Sequence, residues 1–255
     1  MYLELETLLK NHSPEFLIKE LVENNCPDDY NPLDYVQDIV KPLAVSKLNT
    51  ILKDCSCCEI SQYNIKTLFK GTGYEPILVI GESALIGQSN NSFPFTDTEE
   101  EDMLNKVFNA YGIDISKLAF INTVNCCCAR TKSDGTLQKR APTQQETDEC
   151  KTYLDYVIRT LSPKMILLIG NISLNTFKKD TIFKMHGKQF CIKDIPAFAI
   201  YTPSYFLEMK DIKSDSSIEQ DKLDFTEDIK NIFLWFNETY PEENIFINDN
   251  IKQYM

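Results

Sequence analysis

The sequence predicts an α/β fold: a three-layer α/β/α arrangement with a central, mainly parallel sheet of four strands, preceded by an N-terminal helical extension. Three observations predict it. Four short apolar runs rich in β-branched residues stand at 77–81 (ILVIG), 118–124 (LAFINTV), 164–170 (KMILLIG) and 196–202 (PAFAIYT). Helical patterns separate them: EEEDMLNKVFNAYG after the first run, TQQETDECKTYLDYVIRTLS after the second, and the shorter SLNTFKKD after the third. Strands that alternate with helices imply right-handed crossovers, and these leave the strands parallel with both faces of the sheet covered.

Taken in order, residues 1–53 read as the helical extension. LELETLL has apolar residues at helical spacing, and Ser13-Pro14-Glu15 has the form of an N-cap with proline in the first turn of EFLIKELVENN. Pro27 and Pro32 interrupt the chain before LDYVQDIVKPLAVSKLNTILKD supplies another helical pattern. His12 lies at a turn and carries no chemistry in this reading. Residues 54–240 read as the α/β domain and 241–255 as a peripheral tail. Within the domain, DIKSDSSIEQDKLD reads as an exposed loop, and FTEDIKNIFLWF, with the single Trp235, as a closing amphipathic helix.

Composition narrows the function classes. With 255 residues and 43% hydrophobic content the chain can bury a large core. No apolar run reaches the roughly 18 residues of a membrane span, and MYLELETLLK carries acid where a secretory signal carries base, so no membrane partner and an intracellular, cytoplasmic location are expected. Nine cysteines in a reducing compartment, clustered as CSCC at 55–58 and CCC at 126–128, point to ligands rather than disulfides. The net charge of −12 opposes nucleic-acid binding at first sight. Yet residues 130–193 hold 12 Lys and Arg against 6 Asp and Glu, so a basic middle lies between acidic ends. Such a patch suits a DNA face, but a charge run is more often simply solvated surface.

The motifs carry more. In an open parallel sheet, ligands bind outside the carboxyl ends of the strands. Gly81-Glu82-Ser83, Asn122 with Cys126, Gly170-Asn171 and Thr202-Pro203-Ser204 follow the four runs and are therefore expected on one rim. Cys55 and Cys58 form C-x-x-C, and Cys126 with Cys150 completes a possible set of four thiolates, which suits an iron-sulfur cluster or tetrahedral zinc. Cys26 and Cys191 read as structural, while Cys57, Cys127 and Cys128 are substitute ligands or bystanders.

One order of motifs is specific: C-x-x-C, then Gly81-Glu82, Pro94-Phe95, a strand ending Asn122 to Cys126, Arg140-Ala-Pro142 with Glu146 and Cys150, Leu168-Ile-Gly170, and Pro203-Ser204 with Leu207. This order resembles the family 4 uracil-DNA glycosylases, iron-sulfur members of the uracil-DNA glycosylase superfamily, over roughly residues 50–210. The resemblance implies a [4Fe-4S] cluster on Cys55, Cys58, Cys126 and Cys150, structural in role. It also implies hydrolysis of the N-glycosidic bond of uracil, or a related pyrimidine, flipped out of single- or double-stranded DNA in base excision repair. Phe95 stacks on the base, Asn122 reads its edge, and Gly81 and Ser83 line the pocket. The loop beginning Glu82 positions the hydrolytic water, and Thr202 and Ser204 complete the site. Asn171, Ser173, Lys188, Pro203, Ser204 and Tyr205 form the expected DNA face, the turn at 170–173 through free helix amides.

Departures are equally plain. GESALIGQSNNSFPFTDTEEE lacks the Pro-Gly turn and the acidic pair of the family's first motif, and four acids follow it. Thr202 stands where the family has a histidine that stabilises charge on the departing base. The TKSDGTLQK loop is additional, and His186 precedes the Gly187-Lys188 element. Two further readings follow: a weakened or inactive module that binds DNA or a replication or repair protein through the acidic ends, and a glycosylase for a modified base.

Overall fold

Ile77 to Ile80, Leu167, Leu168, Ala199 and Ile200 are all without solvent exposure, the burial expected of strands covered on both faces. The computed structural model describes residues 41–209 and 215–247, with Pro27 and Asn31. Its strands are β1 (Ile77–Ala84), β2 (Leu118–Cys127), β3 (Ala129–Thr131), β4 (Leu137–Lys139), β5 (Met165–Ile169), β6 (Phe190–Ile192) and β7 (Ile195–Ile200). The main sheet runs β2-β1-β5-β7-β6, while β3 and β4 form a separate hairpin. Four strands are parallel, and β6 pairs antiparallel with β7.

The four predicted strands thus form the sheet, and the fifth corrects the expected number. Lys193 and Asp194 alone connect β6 to β7, with φ of +49° and +66°. Two successive left-handed residues make the turn that suits a two-residue hairpin, a role usually filled by Asn-Gly. A three-residue strand behind a Lys-Asp turn carries no sequence signal.

The helices are α1 (Lys41–Asp54), α2 (Glu99–Ala110), α3 (Gln144–Leu161), α4 (Asn171–Phe177), α5 (Ile182–Met185), α6 (Pro203–Met209) and α7 (Asp215–Thr239). α2 and α7 share a face of the sheet: Phe108 meets Phe233 edge-on at 5.9 Å, and Trp235 meets Phe198 of β7 at 4.9 Å. α3 and α1 cover the other. α1 buries Val45, Leu48 and Leu52. Its Asn49 side chain both donates to and accepts from the Phe69 backbone, at 2.9 and 2.8 Å.

α7 also begins earlier than expected. The acidic stretch read as a loop is helical from Asp215 onward, because buried Ile218 extends the apolar stripe of Phe225, Ile229, Ile232, Phe233 and Phe236 by two turns. Past α7, Ile245 is fully buried, and its carbonyl accepts the Asp114 N–H at 2.8 Å. The helices expected before residue 41, with His12 and Cys26, and the last eight residues of the tail lie outside the described residues. Among the described residues no helix is long and apolar enough to cross a membrane.

Candidate active site

The parallel pairing brings the carboxyl ends of β2, β1, β5 and β7 to one rim, and Gly81 lies in register with Asn122. A Cβ on Gly81 would overlap the Asn122 carboxamide oxygen and come within 2.8 Å of the Phe95 ring. Glycine here leaves the space in which three predicted residues converge. Asn122 is 2% exposed, and its Nδ2 donates to Thr67 Oγ1 at 3.0 Å, which turns Oδ1 toward Gly81 and Phe95. Phe95 is buried, packs edge-on against Phe120 at 6.5 Å, and has φ +66°. A bulky residue in that region costs about 1 kcal/mol or more, and such strain concentrates at functional sites. The loop is held by Gln88, whose Nε2 donates to the carbonyls of Phe93 (2.8 Å) and Thr96 (3.3 Å), and by Thr98, whose hydroxyl donates to the Phe95 carbonyl.

Glu82 leans the other way. Its Oε1 accepts the Ile172 N–H at 2.9 Å, and the carboxylate lies where a Gly170 Cβ would be. Gly170, at φ +90°, is required twice over, by its backbone and by this close approach. Burial raises the Glu82 pKa, and the Ile172 amide, Lys139 and the Asn171 amide pull it back. The turn expected to offer free amides to a phosphate therefore has them occupied by Glu82. The rest of that turn is engaged too: Asn171 Oδ1 accepts the Ile182 N–H at 3.1 Å, and fully buried Ser173 donates to the Ile169 and Gly170 carbonyls.

The last loop is likewise folded inward. Pro203 and Ser204 are buried, and Thr202 Oγ1 is 3.0 Å from Ser204 Oγ. The Tyr205 ring stacks on Tyr201 at 5.4 Å, and its hydroxyl donates to Asp221 at 2.6 Å. Ser83 is half-buried and lies in register with Val124 of β2, two residues beyond Asn122. Lys188 is exposed, while His186 is fixed to α7 by a 2.7 Å contact between Nδ1 and Asp228.

Cys55, Cys58, Cys126 and Cys150 lie within mutual electrostatic reach, and Cys58, Cys126 and Cys150 share a pocket with Ile60, Val124, Tyr63 and Cys128. Burial first, then Cys58 and Cys55, push the Cys126 thiol up to about 12. Cys150 is pushed up for the same reasons. Buried Lys66 donates to the Cys55 carbonyl at 2.6 Å, and the Tyr153 hydroxyl donates to Cys55 Sγ at 3.5 Å. Cys57 is exposed, Cys128 packs in the same apolar cluster as Cys126 and Cys150 with its Sγ 3.9 Å from the Cys126 carbonyl, and Cys127 packs instead with Ala84 and Ala129. Among the described residues no three His, Cys, Asp or Glu side chains form a ready-made site for a single metal ion.

The R-x-P-x-x-x-E element has a structural explanation. Glu146 and Thr143 form a capping box at the start of α3, and Arg140 grips both Glu146 oxygens at 2.8 and 2.6 Å. The Arg140 N–H also donates to the Cys128 carbonyl at 2.9 Å. The motif thus ties the end of β2, with Cys126, to the helix that carries Cys150.

Sequence reasoning missed three groups near the rim. Glu100, within the acidic run, is 6% exposed. Lys139, supplied by the additional hairpin, pairs with Glu208 at 2.9 Å. The signal for Glu100 was available: it stands four residues before Leu104 on the stripe continued by Val107 and Phe108.

Comparison with known proteins gives concordant matches. The profile of the uracil DNA glycosylase superfamily matches residues 72–226, more than half of the chain. The type-4 uracil-DNA glycosylase of Sulfurisphaera tokodaii is 24% identical over 173 residues, which cover 63% of this chain and 74% of that protein. That of Pyrobaculum aerophilum is 24% identical over 131 residues, covering 51% of this chain and 62% of that protein.

Proposed function

The chain belongs to the uracil DNA glycosylase superfamily, and from that premise we propose that it hydrolyses the N-glycosidic bond of uracil flipped out of DNA. The observation that carries this reading is the convergence of Gly81, Phe95 and Asn122. A planar base stacks on Phe95 at the edge of this cluster. Asn122 Oδ1 accepts the uracil N3–H, and the amide hydrogen that Thr67 leaves free donates to O4. As the glycosidic bond breaks, its electron pair leaves with the base and negative charge develops on uracil O2. Donors already aimed at that oxygen lower the barrier. A water held by the remaining lone pairs of Glu82 adds its oxygen to the sugar carbon, and its proton passes by way of the Glu82 carboxylate to the departed uracil anion.

The four cysteines suit a [4Fe-4S] cluster in their donor chemistry. Cys58, Cys126 and Cys150 share an apolar pocket that disfavours free thiolates, Cys55 lies within electrostatic reach of them, Lys66 supplies a nearby positive charge, and Tyr153 hydrogen-bonds the Cys55 sulfur. Four thiolates are also a donor set for tetrahedral zinc, which is the alternative occupant. When bound, the group supplies a structural crosslink between the segment before β1, the end of β2 and α3.

DNA contact is supported by a groove of about 400 Å³ between the starts of α3 and α4, with Lys151 and Lys179 on its walls. If the strand backbone follows it, Lys151→Ala with Lys179→Ala weakens binding of uracil-containing and normal DNA alike. The slope of log affinity against log salt becomes shallower by about 1 to 2 units.

The reading is tested by measuring free uracil released from uracil-containing single- and double-stranded oligonucleotides. Release above the spontaneous background is expected. No release on either substrate, with DNA affinity intact, would identify the binding module instead, a reading that the neutral Thr202 hydroxyl favours. Release of a modified base but not of uracil would point to the third reading.

A further inference from the structure

Among the described residues, Lys66 is the only buried lysine or arginine, at 8% exposed, and no carboxylate pairs with it. An ammonium held out of water is unfavourable unless its charge is compensated. Part of the compensation is visible. Nζ donates to the Lys53 carbonyl at 3.1 Å and to the Cys55 carbonyl at 2.6 Å, at the C-terminus of α1 and just past it. The dipole of a helix end favours a cation there, but it amounts to a fraction of a unit charge.

The backbone of the same residue is tied elsewhere. Lys66 bridges antiparallel to Cys126, where the Thr67 N–H donates to the Asn125 carbonyl at 2.7 Å and the Cys127 N–H to the Ile65 carbonyl at 2.9 Å. One residue therefore joins two of the segments that carry the four cysteines, its main chain beside Cys126 and its ammonium at Cys55. Cys55 is held at its other end by Tyr153 of α3, whose hydroxyl donates to Sγ at 3.5 Å. Four protonated thiols would leave the Lys66 charge unanswered. Four thiolates around a cubane make a dianion, and its reduced form carries one further negative charge.

We propose that Lys66 is a positioning residue of the cysteine site, which fixes Cys55 through its carbonyl and compensates the negative charge of the cluster held there. This rests on the cluster reading above. Lys66 makes no bond to iron. It acts through charge and through the placement of one ligand, so its removal weakens iron retention and, because a nearby cation favours the more negative member of a couple, lowers the cluster's potential.

The test compares the native protein with Lys66→Arg, Lys66→Gln and Lys66→Met, all reconstituted without oxygen. Two readouts are taken: the potential by film voltammetry, and the rate at which a chelator bleaches the brown colour. Lys66→Arg keeps the charge and should stay near the native protein in both. Lys66→Gln keeps an amide that can donate to the carbonyls, and Lys66→Met keeps only an apolar stem. Both should move to lower potential and release iron on the order of tenfold faster. A Lys66→Gln protein equal to the native one in potential and iron release makes Lys66 a helix cap alone and overturns the proposal. Lys66→Arg displaced as far as Lys66→Gln also overturns it. If Lys66→Gln holds no iron, the comparison with Lys66→Arg still decides: retention by Lys66→Arg supports the role of charge, and loss from both overturns it. A native protein that holds no iron, or one zinc per chain, overturns the cluster reading instead.

Discussion

Cys150→Ser is expected to yield a protein without iron, less stable by on the order of 3 kcal/mol or more. The native chain, purified or reconstituted without oxygen, is expected to be brown and to hold about four irons and four sulfides. The magnitude follows from what the cysteines join. Cys55 and Cys58 follow α1, Cys126 lies in β2, and Cys150 sits in the second turn of α3. The pocket is a poor place for bare thiols: burial pushes Cys126 up to about 12, so without iron the sulfur stays protonated at neutral pH. Binding must expel those protons, which makes the site acid-sensitive, with iron lost as pH falls. Cys57→Ser is the control, since Cys57 is exposed and stands 3.9 Å from the Tyr153 hydroxyl. Iron and sulfide analysis with urea unfolding of both variants decides the matter. One zinc per chain, or equal iron in Cys150→Ser and the native protein, would refute the cluster.

The strands were legible because a parallel strand covered on both faces is apolar throughout, and ILVIG and KMILLIG admit little else. What stayed hidden has identifiable causes. β6 is three residues long behind a turn whose Lys193 and Asp194 adopt a backbone usually given to Asn and Gly. The start of α7 was masked by its acids, although Ile218 keeps the apolar spacing. At the site, residue types pointed to the rim but not to the direction of each side chain. Gly81 and Glu82 are adjacent, yet one lets Asn122 and Phe95 close in on the strand while the other caps α4. Ser173 and Ser204 carry hydroxyls that sequence assigns to DNA, and both are buried and bonded within the protein, Ser204 to the Thr202 hydroxyl. Arg140 and Glu146, by contrast, were recognisable as a motif before their capping role was visible. Side-chain direction at strand ends depends on close approaches such as Gly170 against Glu82, which no local pattern encodes.

Asn122→Ala tests the pocket most directly, and uracil release is expected to fall on the order of a hundredfold to a thousandfold. The variant loses both the acceptor and the donor offered to the base edge, interactions that strengthen as charge develops on the departing ring. Its effect on folding should be far smaller. Thr67 Oγ1 loses one donor but still bonds the Asn125 carbonyl at 3.3 Å, so a cost of about 1 kcal/mol is expected. Thr67→Val is the companion variant. It leaves the carboxamide in place but removes the partner that orients it, so a smaller loss of rate is expected, with weaker discrimination between uracil and other pyrimidines. Catalysis of this kind depends on donors fixed before the reaction begins, so orientation and presence should contribute separately. Rates from single-turnover assays, read beside urea unfolding of the same preparations, separate the two. Equal rates for Asn122→Ala and the native protein would remove Asn122 from the site and leave Phe95 with no polar partner to read the base.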